Sequence, residues 1–326
     1  ENFCIEQVWI GDLIYDTYLK KYFTHTIDLH SKKFKLFFFE CLCNFYFWNE
    51  YFKKNNVKGI AVGHSVYVSG IPSRIADYYN ISNFSFEGAN FVNGKGKTSF
   101  KKRENYSGGH FRYYRKLFKK FNKSKAKANI ILGKKYLKDL IDGKKIYYYL
   151  KKTSFSKTNY NIDYFKQHKK KIKVVIYSHV FTDSPHVYGN HFFPDFNEWF
   201  KFLEKIVKKT DYDWYLKPHP QEDPMTKKIV RLFIKNNPSI KLLPSNLSNL
   251  YIASKKIDYA LTVYGTIGSE LPGYGIKIIN ASKNNPTFGY NFCINPKSVS
   301  EYKKKLLNLK KNNFKINKQD LFEFHY

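Results

Sequence analysis

Two segments in the last third of the chain place residues that can bind phosphate directly after an apolar stretch. Residues 217–220 read Lys-Pro-His-Pro, and residues 265–270 read Gly-Thr-Ile-Gly-Ser-Glu. Lysine and histidine can neutralise a phosphate, and a glycine-containing turn at the start of a helix binds an anion through its backbone. In open α/β sheets such groups follow the carboxyl ends of strands. We therefore predict a site for a phosphorylated ligand at two strand ends.

Lys217 and His219 are the candidates for contact with the phosphate. Both could stabilise a phosphate that leaves during a transfer reaction, which makes His219 a candidate catalytic residue as well. Pro218 and Pro220 restrict the backbone on both sides of the histidine and so reduce the entropy cost of ordering the loop. The alternative is that His219 only caps a turn between the two prolines.

The second segment contributes glycines, hydroxyls and a carboxylate to the same predicted site. Gly265 and Gly268 permit a close approach of the backbone, and the hydroxyls of Thr266 and Ser269 can donate to a phosphate. Glu270 can accept hydrogen bonds from the hydroxyls of a ribose. Its alternative role is that of a first-turn carboxylate that complements the dipole of the following helix.

A polar loop also follows the predicted strand 173–177. Because this loop would lie at the same edge of the sheet, we predict that His179 and Asp183 bind the phosphorylated ligand. An ordinary structural role explains His186 and His191 equally well, so neither is assigned to the site.

Two residues in the first half of the chain are candidate general bases. Asp12 and His64 each follow a predicted buried strand. A carboxylate or an imidazole close to an acceptor hydroxyl can remove its proton if the pKa of the base is suitable. The alternatives are that Asp12 is a helix N-cap and that His64 is a turn residue.

Alternating strands and helices must position these residues. Strand, loop and helix recur in that order from residue 173 to residue 279, and the predicted buried strand 59–62 begins a similar unit. This order is typical of doubly wound parallel sheets, and 326 residues suffice for two such lobes. We predict lobes over residues 1–168 and 169–300, and a basic C-terminal helix over 301–326 that packs across them. Helices are also predicted over about 134–152 and over 224–236.

The composition is strongly basic. The chain carries 57 Lys and Arg residues against 26 Asp and Glu residues, a formal net charge of +31, which favours an anionic partner. The alternative is that AT-rich codon usage accounts for much of the lysine.

The 4 cysteines show no metal-ligand or disulfide spacing, so we predict no metal site and a reducing cytoplasm. The apolar residues 34–52 are predicted to be a buried helix and not a membrane span.

Taken together, these motifs resemble those of a known family. Residues 10–19, 63–67 and 70–76, with the two phosphate-binding segments, resemble bacterial capsular and surface-polysaccharide glycosyltransferases of the GT-B type. Looser forms of the two segments occur in capsule Kdo transferases, polysialyltransferase-like enzymes and glycerophosphate transferases of teichoic acid synthesis. Bacterial sialyltransferases of similar fold carry an acidic pair before glycine, whereas residues 86–88 read Phe-Glu-Gly, which argues against that subgroup.

The resemblance implies an α/β, GT-B-like fold, with two Rossmann-like lobes of doubly wound parallel sheet that face a central cleft. The acceptor would lie on residues 1–168 and an activated nucleotide sugar on residues 169–300. Lys217 and His219 would contact the donor phosphates, residues 265–270 would lie along the nucleotide, and Asp12 or His64 would lie near the acceptor. No metal and no cofactor is implied besides the nucleotide-sugar co-substrate.

We therefore expect a cytoplasmic glycosyltransferase that moves a sugar from a nucleotide sugar to a growing surface glycan, on a lipid-linked or oligosaccharide acceptor. The basic surface would suit peripheral contact with an anionic inner membrane. A first alternative is a CDP-polyol phosphotransferase of teichoic-acid type on the same fold. A second is a non-catalytic protein that binds nucleic acid or another polyanion. Such a protein should concentrate its charge on one stripe, whereas lysine here is scattered over every segment.

Overall fold

A computed structural model describes residues 1–62, 65–86, 100–102, 111–146, 153–158, 160–165 and 171–326. Contacts divide the chain into two compact units. The first unit comprises Glu1–Phe111 and Phe181–Asn190, and the second comprises Arg112–Val180 and His191–Tyr326. The predicted boundary at residue 168 lies outside the described residues. Residues 112–165, which sequence analysis assigned to the first lobe, belong with the second unit, as do residues 301–326.

The first unit combines helices with small sheets. Strands β1 and β2 form an antiparallel hairpin, while β3 pairs in parallel with β4, and β4 pairs antiparallel with β5. The described elements of this unit are β1 (Cys4–Ile5), β2 (Val8–Trp9), α1 (Gly11–Tyr22), α2 (Lys32–Lys54), β3 (Gly59–Val62), a 3₁₀ turn (Val68–Gly70), α3 (Ile71–Tyr78), β4 (Ser82–Phe86) and β5 (Phe100–Lys102).

Helix α2 buries one of its faces against the core of the first unit. It begins after Ser31, whose hydroxyl accepts a hydrogen bond from the backbone N–H of Phe34. Buried apolar side chains then recur at helical spacing: Phe37, Cys41, Phe45 and Phe52. Sequence analysis predicted a buried helix here, but the structure leaves the opposite face exposed. Among the described helices, none is long and apolar enough to cross a membrane.

The second unit is built on a parallel sheet. Its described elements are α4 (Phe111–Phe118), α5 (Lys123–Ile141), β6 (Lys173–Tyr177), α6 (Phe196–Val207), β7 (Asp213–Lys217), α7 (Pro224–Asn236), β8 (Lys241–Leu242), α8 (Asn249–Ser254), β9 (Tyr259–Thr262), α9 (Ile267–Glu270), a 3₁₀ turn (Leu271–Tyr274), β10 (Lys277–Asn280), α10 (Val299–Leu307), a 3₁₀ turn (Leu309–Lys311) and α11 (Lys318–Phe324). The described strands of the sheet are ordered β10-β9-β6-β7-β8, and every pair is parallel.

The central strands of this sheet are buried on both faces, as expected for a parallel sheet between helices. Every residue of β7 and β9 is buried.

The predicted strand 173–177 and helix 224–236 are confirmed to the residue. The predicted helix 134–152 is wrong in its bounds, because α5 begins at Lys123 and ends at Ile141. Gly143 follows that end with a φ of 73°, a conformation that favours glycine and stops a helix. Strand β3 was predicted to be buried but is partly exposed, because it lies at the edge of its sheet.

The C-terminal helix α11 packs on α5 within the second unit. A Cβ atom added to Gly133 of α5 would lie 1.9 Å from the carbonyl oxygen of Phe322 in α11, so only glycine allows this approach. Arg115 of α4 donates from both Nη atoms to the carboxylate of Asp320 at 2.9 Å each. The end of the chain is therefore an integral part of the second unit.

We predict that Gly133→Ala destabilises the protein, although alanine is the better helix former. The added methyl group must push α11 away from α5, and such overpacking costs about 1–3 kcal/mol. Urea-induced unfolding measures the change in free energy. Lys135→Ala, at an exposed position of the same helix, is the control and should change the free energy of unfolding by less than about 0.5 kcal/mol. Unchanged stability of Gly133→Ala would contradict the close packing.

Candidate functional site

The sheet of the second unit reverses its chain order between β6 and β9. Strand β6 lies at the centre, β7 and β8 follow on one side, and β9 and β10 lie on the other. The loops that leave the carboxyl ends of β6 and β9 therefore run to opposite faces of the sheet. Ligands of open α/β sheets bind at this position. The side chains at this edge form the candidate site.

A hydrogen-bonded pair joins the two strands at the reversal. Nε2 of His179 lies 3.0 Å from Oγ1 of Thr262 and accepts the backbone N–H of Val263 at 3.2 Å. Oγ1 of Thr262 in turn accepts the backbone N–H of Gly265 at 3.0 Å. Because Nε2 is an acceptor, the imidazole carries its proton on Nδ1 and the threonine hydroxyl donates to the ring.

His179 is enclosed by aromatic rings. Its ring stacks on Phe196 with 4.5 Å between centroids, and lies 4.6 Å from the ring of Tyr264. Burial, together with the nearby imidazoles of His219 and His191, lowers the pKa of His179 well below its ordinary value. The imidazole is therefore neutral at physiological pH. It holds the loop after β9 and offers no positive charge to a ligand.

Ser178 and His219 join the ends of β6 and β7. The backbone N–H of His219 donates to Oγ of Ser178 at 3.2 Å, and Nδ1 of the ring accepts the backbone N–H of Gln221 at 3.1 Å. A neutral ring therefore has its proton on Nε2. Because His219 is partly exposed, this turn presents an imidazole in a fixed tautomer at the strand end.

Lys217, the last residue of β7, is buried. Its Nζ donates to the carbonyl oxygen of Ser245 at 3.2 Å and lies 5.8 Å from the ring centroid of Tyr177. Burial lowers the pKa of Lys217 to about 8, and the carboxylate of Glu270 opposes that shift. Glu270 is buried too. The two charges reduce the cost of burying each other.

Residues 265–270 form a tight turn followed by the short helix α9. The backbone N–H groups of Gly268 and Ser269 donate to the carbonyl oxygens of Gly265 and Thr266 at 2.8 and 2.9 Å. Thr266 is exposed, whereas the hydroxyl of Ser269 donates back to the carbonyl oxygen of Thr266 at 3.1 Å. A Cβ atom on Gly265 would lie 2.8 Å from Oγ1 of Thr262, so glycine is required beside the pair described above.

Two residues from later in the chain hold the same turn. Sγ of Cys293 donates to the carbonyl oxygen of Gly268 at 2.9 Å, and Nε2 of His325 lies 2.8 Å from the carbonyl oxygen of Ser269. Burial lowers the pKa of His325 to about 4, so its ring is neutral and donates from Nε2. Sequence analysis missed both residues, because no local motif surrounds them.

His191 and Tyr264 were also missed. Nδ1 of His191 lies 2.6 Å from Oγ of Ser282, and its ring stacks on Tyr264 with 5.1 Å between centroids. Tyr264 therefore contacts two imidazoles, those of His191 and His179. Its position two residues after β9 was the available signal, since polar residues after a central strand face this edge.

The structure brings together at the ends of β6, β7 and β9 the predicted ligand-binding residues His179, Lys217, His219, Gly265, Thr266, Gly268, Ser269 and Glu270. Asp183 belongs to the first unit, where it accepts a hydrogen bond from the hydroxyl of Tyr67 at 2.7 Å. His64 lies outside the described residues. Among the residues that the structure describes, no group of three or more His, Cys, Asp or Glu could hold a metal ion.

Asp12, the other candidate base, is held in an ion pair. Both of its carboxylate oxygens accept hydrogen bonds from Arg74 at 2.6 Å, and both residues are buried. Arg74 also donates to the carbonyl oxygen of Trp9 at 2.6 Å. A carboxylate that is occupied in this way anchors α1 to α3, and the geometry favours that structural role over proton abstraction.

Asp16 lies one helical turn after Asp12 and forms a second buried ion pair. His186 donates from Nδ1 to Oδ1 of Asp16 at 2.6 Å and from its backbone N–H to Oδ2 at 3.1 Å. Nε2 of His186 lies 3.3 Å from Oε2 of Glu1. Burial alone would lower the pKa of His186, but the charge of Asp16 and the hydrogen bonds to Asp16 and Glu1 outweigh it and raise the pKa to about 10.

No protein-family model and no curated protein sequence matches the chain. Solved structures match its fold. The beta Kdo 2,4 transferase KpsC of Thermosulfurimonas dismutans is 12% identical, with 82% of this chain and 78% of that chain covered at a TM-score of 0.50. A beta Kdo 2,7 transferase structure of KpsC from the same organism is 13% identical, with 91% and 81% covered at a TM-score of 0.47. The first match confirms the predicted GT-B-type α/β fold.

We predict that Thr262→Val lowers the free energy of unfolding by about 1–3 kcal/mol, because the buried Nε2 of His179 loses a donor and the partly buried N–H of Gly265 loses its acceptor. Valine keeps the shape of threonine and removes only the hydroxyl. Urea-induced unfolding measures the loss. Thr262→Ser retains the hydroxyl and should remain closer to the wild type. Equal stability of Thr262→Val and wild type would contradict the role of this hydrogen bond.

The ion pair of His186 predicts a dependence of stability on pH. Its pKa is about 10 in the folded protein against 6.5 as the ordinary value, so the stabilisation is complete below pH 6.5 and is lost as the pH rises towards 10. We expect His186→Gln to lower the free energy of unfolding by about 3 kcal/mol or more near pH 6.5, because Asp16 loses its buried counter-charge. At lower pH this loss should be smaller, because burial raises the pKa of Asp16 and its carboxylate takes up a proton.

Urea-induced unfolding at several pH values checks this expectation. The difference between wild type and His186→Gln should shrink as the pH rises. His30→Gln, at an exposed histidine, is the control and should differ little from wild type at any pH. A difference between wild type and His186→Gln that stays constant with pH would contradict the assignment of the charge to His186.

Proposed function

We propose that this protein is a glycosyltransferase that moves a sugar from a nucleotide-activated donor to a growing surface glycan. The observation that carries the proposal is the position of His219, Thr266 and the His179–Thr262 pair. They lie at the carboxyl ends of β7, β9 and β6, next to the reversal of chain order. In doubly wound sheets this is where the phosphates of a nucleotide bind.

His219 is the proposed group that acts on the donor phosphate. Its Nε2–H can donate to a phosphate oxygen, while Gln221 and Ser178 hold the turn on either side of it. A donor that is already oriented toward the developing charge stabilises a leaving phosphate without a reorganisation cost. Thr266, with its exposed side chain, is the proposed hydroxyl donor to the same phosphates.

Lys217 and Glu270 are not proposed as direct ligands of the phosphate. Both are buried, and the ammonium of Lys217 already donates to Ser245. We propose that Lys217 adds positive potential to the phosphate site from within the protein and that Glu270 keeps the lysine charged. Ser269 and Gly268 shape the turn through their backbone.

The activity of the structural neighbour supports a sugar as the group that is transferred. That neighbour is a beta Kdo 2,4 transferase, and it shares the fold over most of both chains. The proposal also includes a lipid-linked or oligosaccharide acceptor, a cytoplasmic location and transfer without a metal ion. These features come from the resemblance of the motifs. Because Asp12 is held by Arg74, we do not propose Asp12 as the general base.

The first test is a thermal-shift screen of the wild type with CMP, CDP, UDP, GDP, their sugar conjugates and a short oligonucleotide. A ligand that binds only the folded protein raises its melting temperature. We expect one nucleotide and its sugar conjugate to do so. Product analysis with that conjugate then distinguishes sugar transfer from polyol phosphate transfer. Stabilisation by the oligonucleotide alone would favour a polyanion-binding protein and contradict the proposal.

We predict that His219→Ala lowers the turnover number by about 10²–10³-fold, as expected for the loss of one donor to a developing negative charge. Turnover is measured as nucleotide release from the conjugate that gave the largest shift. His30→Ala, at an exposed histidine of the first unit, is the matched control and should retain wild-type turnover. Equal turnover in both variants would show that His219 does not contact the donor. Lys217→Ala is a poor test, because it removes the positive charge that lies near the buried Glu270 and so disturbs the fold as well.

A further inference from the structure

Helix α2 exposes a second apolar face on the side opposite to the core of the first unit. Leu36, Phe39 and Phe47 are 58, 65 and 61% exposed, and Tyr46 and Tyr51 are exposed beside them. Successive members are three, seven, one and four residues apart, which places all five along one side of the helix. We call these five residues the α2 outer face. A helix that is apolar on both sides normally has a partner on each.

Both ends of the α2 outer face are basic. Lys32, Lys33 and Lys35 are exposed in its first turn, and Lys53 and Lys54 are exposed in its last. Helix α2 also carries two glutamates, and lysines neutralise both. Glu40 lies 2.9 Å from Nζ of Lys21, and Glu50 lies 3.5 Å from Nζ of both Lys53 and Lys54. The exposed band is therefore apolar in the middle and positively charged at each end.

This charge pattern decides between two kinds of occupant. A second copy of the chain would set two net positive ends against each other in either orientation. The first turn of the helix carries three lysines, and its last two turns carry two lysines and one glutamate. The formal net charge of +31 on each copy adds to this repulsion. An anionic lipid surface instead attracts the lysines and accepts aromatic and aliphatic side chains between its headgroups.

We propose that the α2 outer face docks this protein on an anionic lipid membrane. Helix α2 lies along the headgroup region, with Leu36, Phe39 and Phe47 directed into the boundary of the acyl chains. Tyrosine favours this region because its ring is apolar and its hydroxyl is polar, which suits Tyr46 and Tyr51. The lysines at both ends contact the acidic headgroups. This proposal stands on the first unit and does not depend on the proposed function.

Vesicle co-sedimentation of the purified chain tests the proposal. The vesicles contain phosphatidylcholine alone or phosphatidylcholine mixed with phosphatidylglycerol. We expect the wild type to bind the mixed vesicles. The double variant Phe39→Ser/Phe47→Ser should bind at least about tenfold more weakly, because two apolar side chains no longer enter the interface.

The matched control is Ile131→Ser/Leu232→Ser, which removes apolar side chains of 67 and 52% exposure from α5 and α7. It should bind like the wild type. All three proteins have the same net charge, so attraction through charge alone would make them bind equally. Equal binding of the three proteins would therefore overturn the proposal.

Two further measurements separate the remaining outcomes. The wild type contains 4 tryptophans, of which Trp48 lies in α2, so quenching by brominated lipids is compared with the wild type. Phe47→Trp should show additional quenching of the new tryptophan, whereas Leu232→Trp should not. Absence of quenching at position 47 would overturn the insertion of the α2 outer face.

Sedimentation velocity reports the oligomeric state in the absence of lipid. Suppose that the wild type is a dimer, that the double variant Phe39→Ser/Phe47→Ser is a monomer, and that the wild type does not bind to vesicles. That result would show that the face joins two copies of this chain and would also overturn the proposal.

Discussion

The hydrogen bond between His179 and Thr262 joins β6 to β9 where the chain order of the sheet reverses. Backbone pairing between these strands runs as far as Ile176 and Leu261, and the following loops leave for opposite faces, so the bond between His179 and Thr262 continues the contact beyond the paired residues. The bond requires a neutral imidazole, because Nε2 must accept both the threonine hydroxyl and the backbone N–H of Val263. Burial among aromatic rings keeps the ring neutral, and the candidate site depends on that burial.

Several residues that have the chemistry of catalysts serve the architecture. Asp12 is paired with Arg74, Asp16 with His186, and Lys217 lies near Glu270 in the protein interior. Each charge would be costly to bury alone, and each is stabilised by its partner within the same unit. At the edge of the sheet His219 and Thr266 keep access to solvent, so the proposed contact with a phosphate rests on these two residues. Residue type and position after a strand do not distinguish these two classes.

The secondary structure of the second unit could be predicted closely from sequence. Strand 173–177 and helix 224–236 are surrounded by clear signals, such as the Asp223-Pro224 start of α7. Burial was harder to predict. Strand β3 and helix α2 are apolar enough to be interior elements, yet β3 lies at an edge and α2 has core contacts on one side only. Which face is covered depends on neighbours that are distant in sequence.

The sequence by itself determined the order of strands and helices, the basic character of the chain and the placement of polar residues after strands, because these follow from local pattern and composition. The parallel order of those strands then implied that the polar residues would meet at one edge. Only the tertiary structure decided which of them are buried in pairs and which remain accessible. Arg74, Asp16, Cys293 and His325 acquire their roles from partners that lie far away along the chain, and no local pattern encodes such distances.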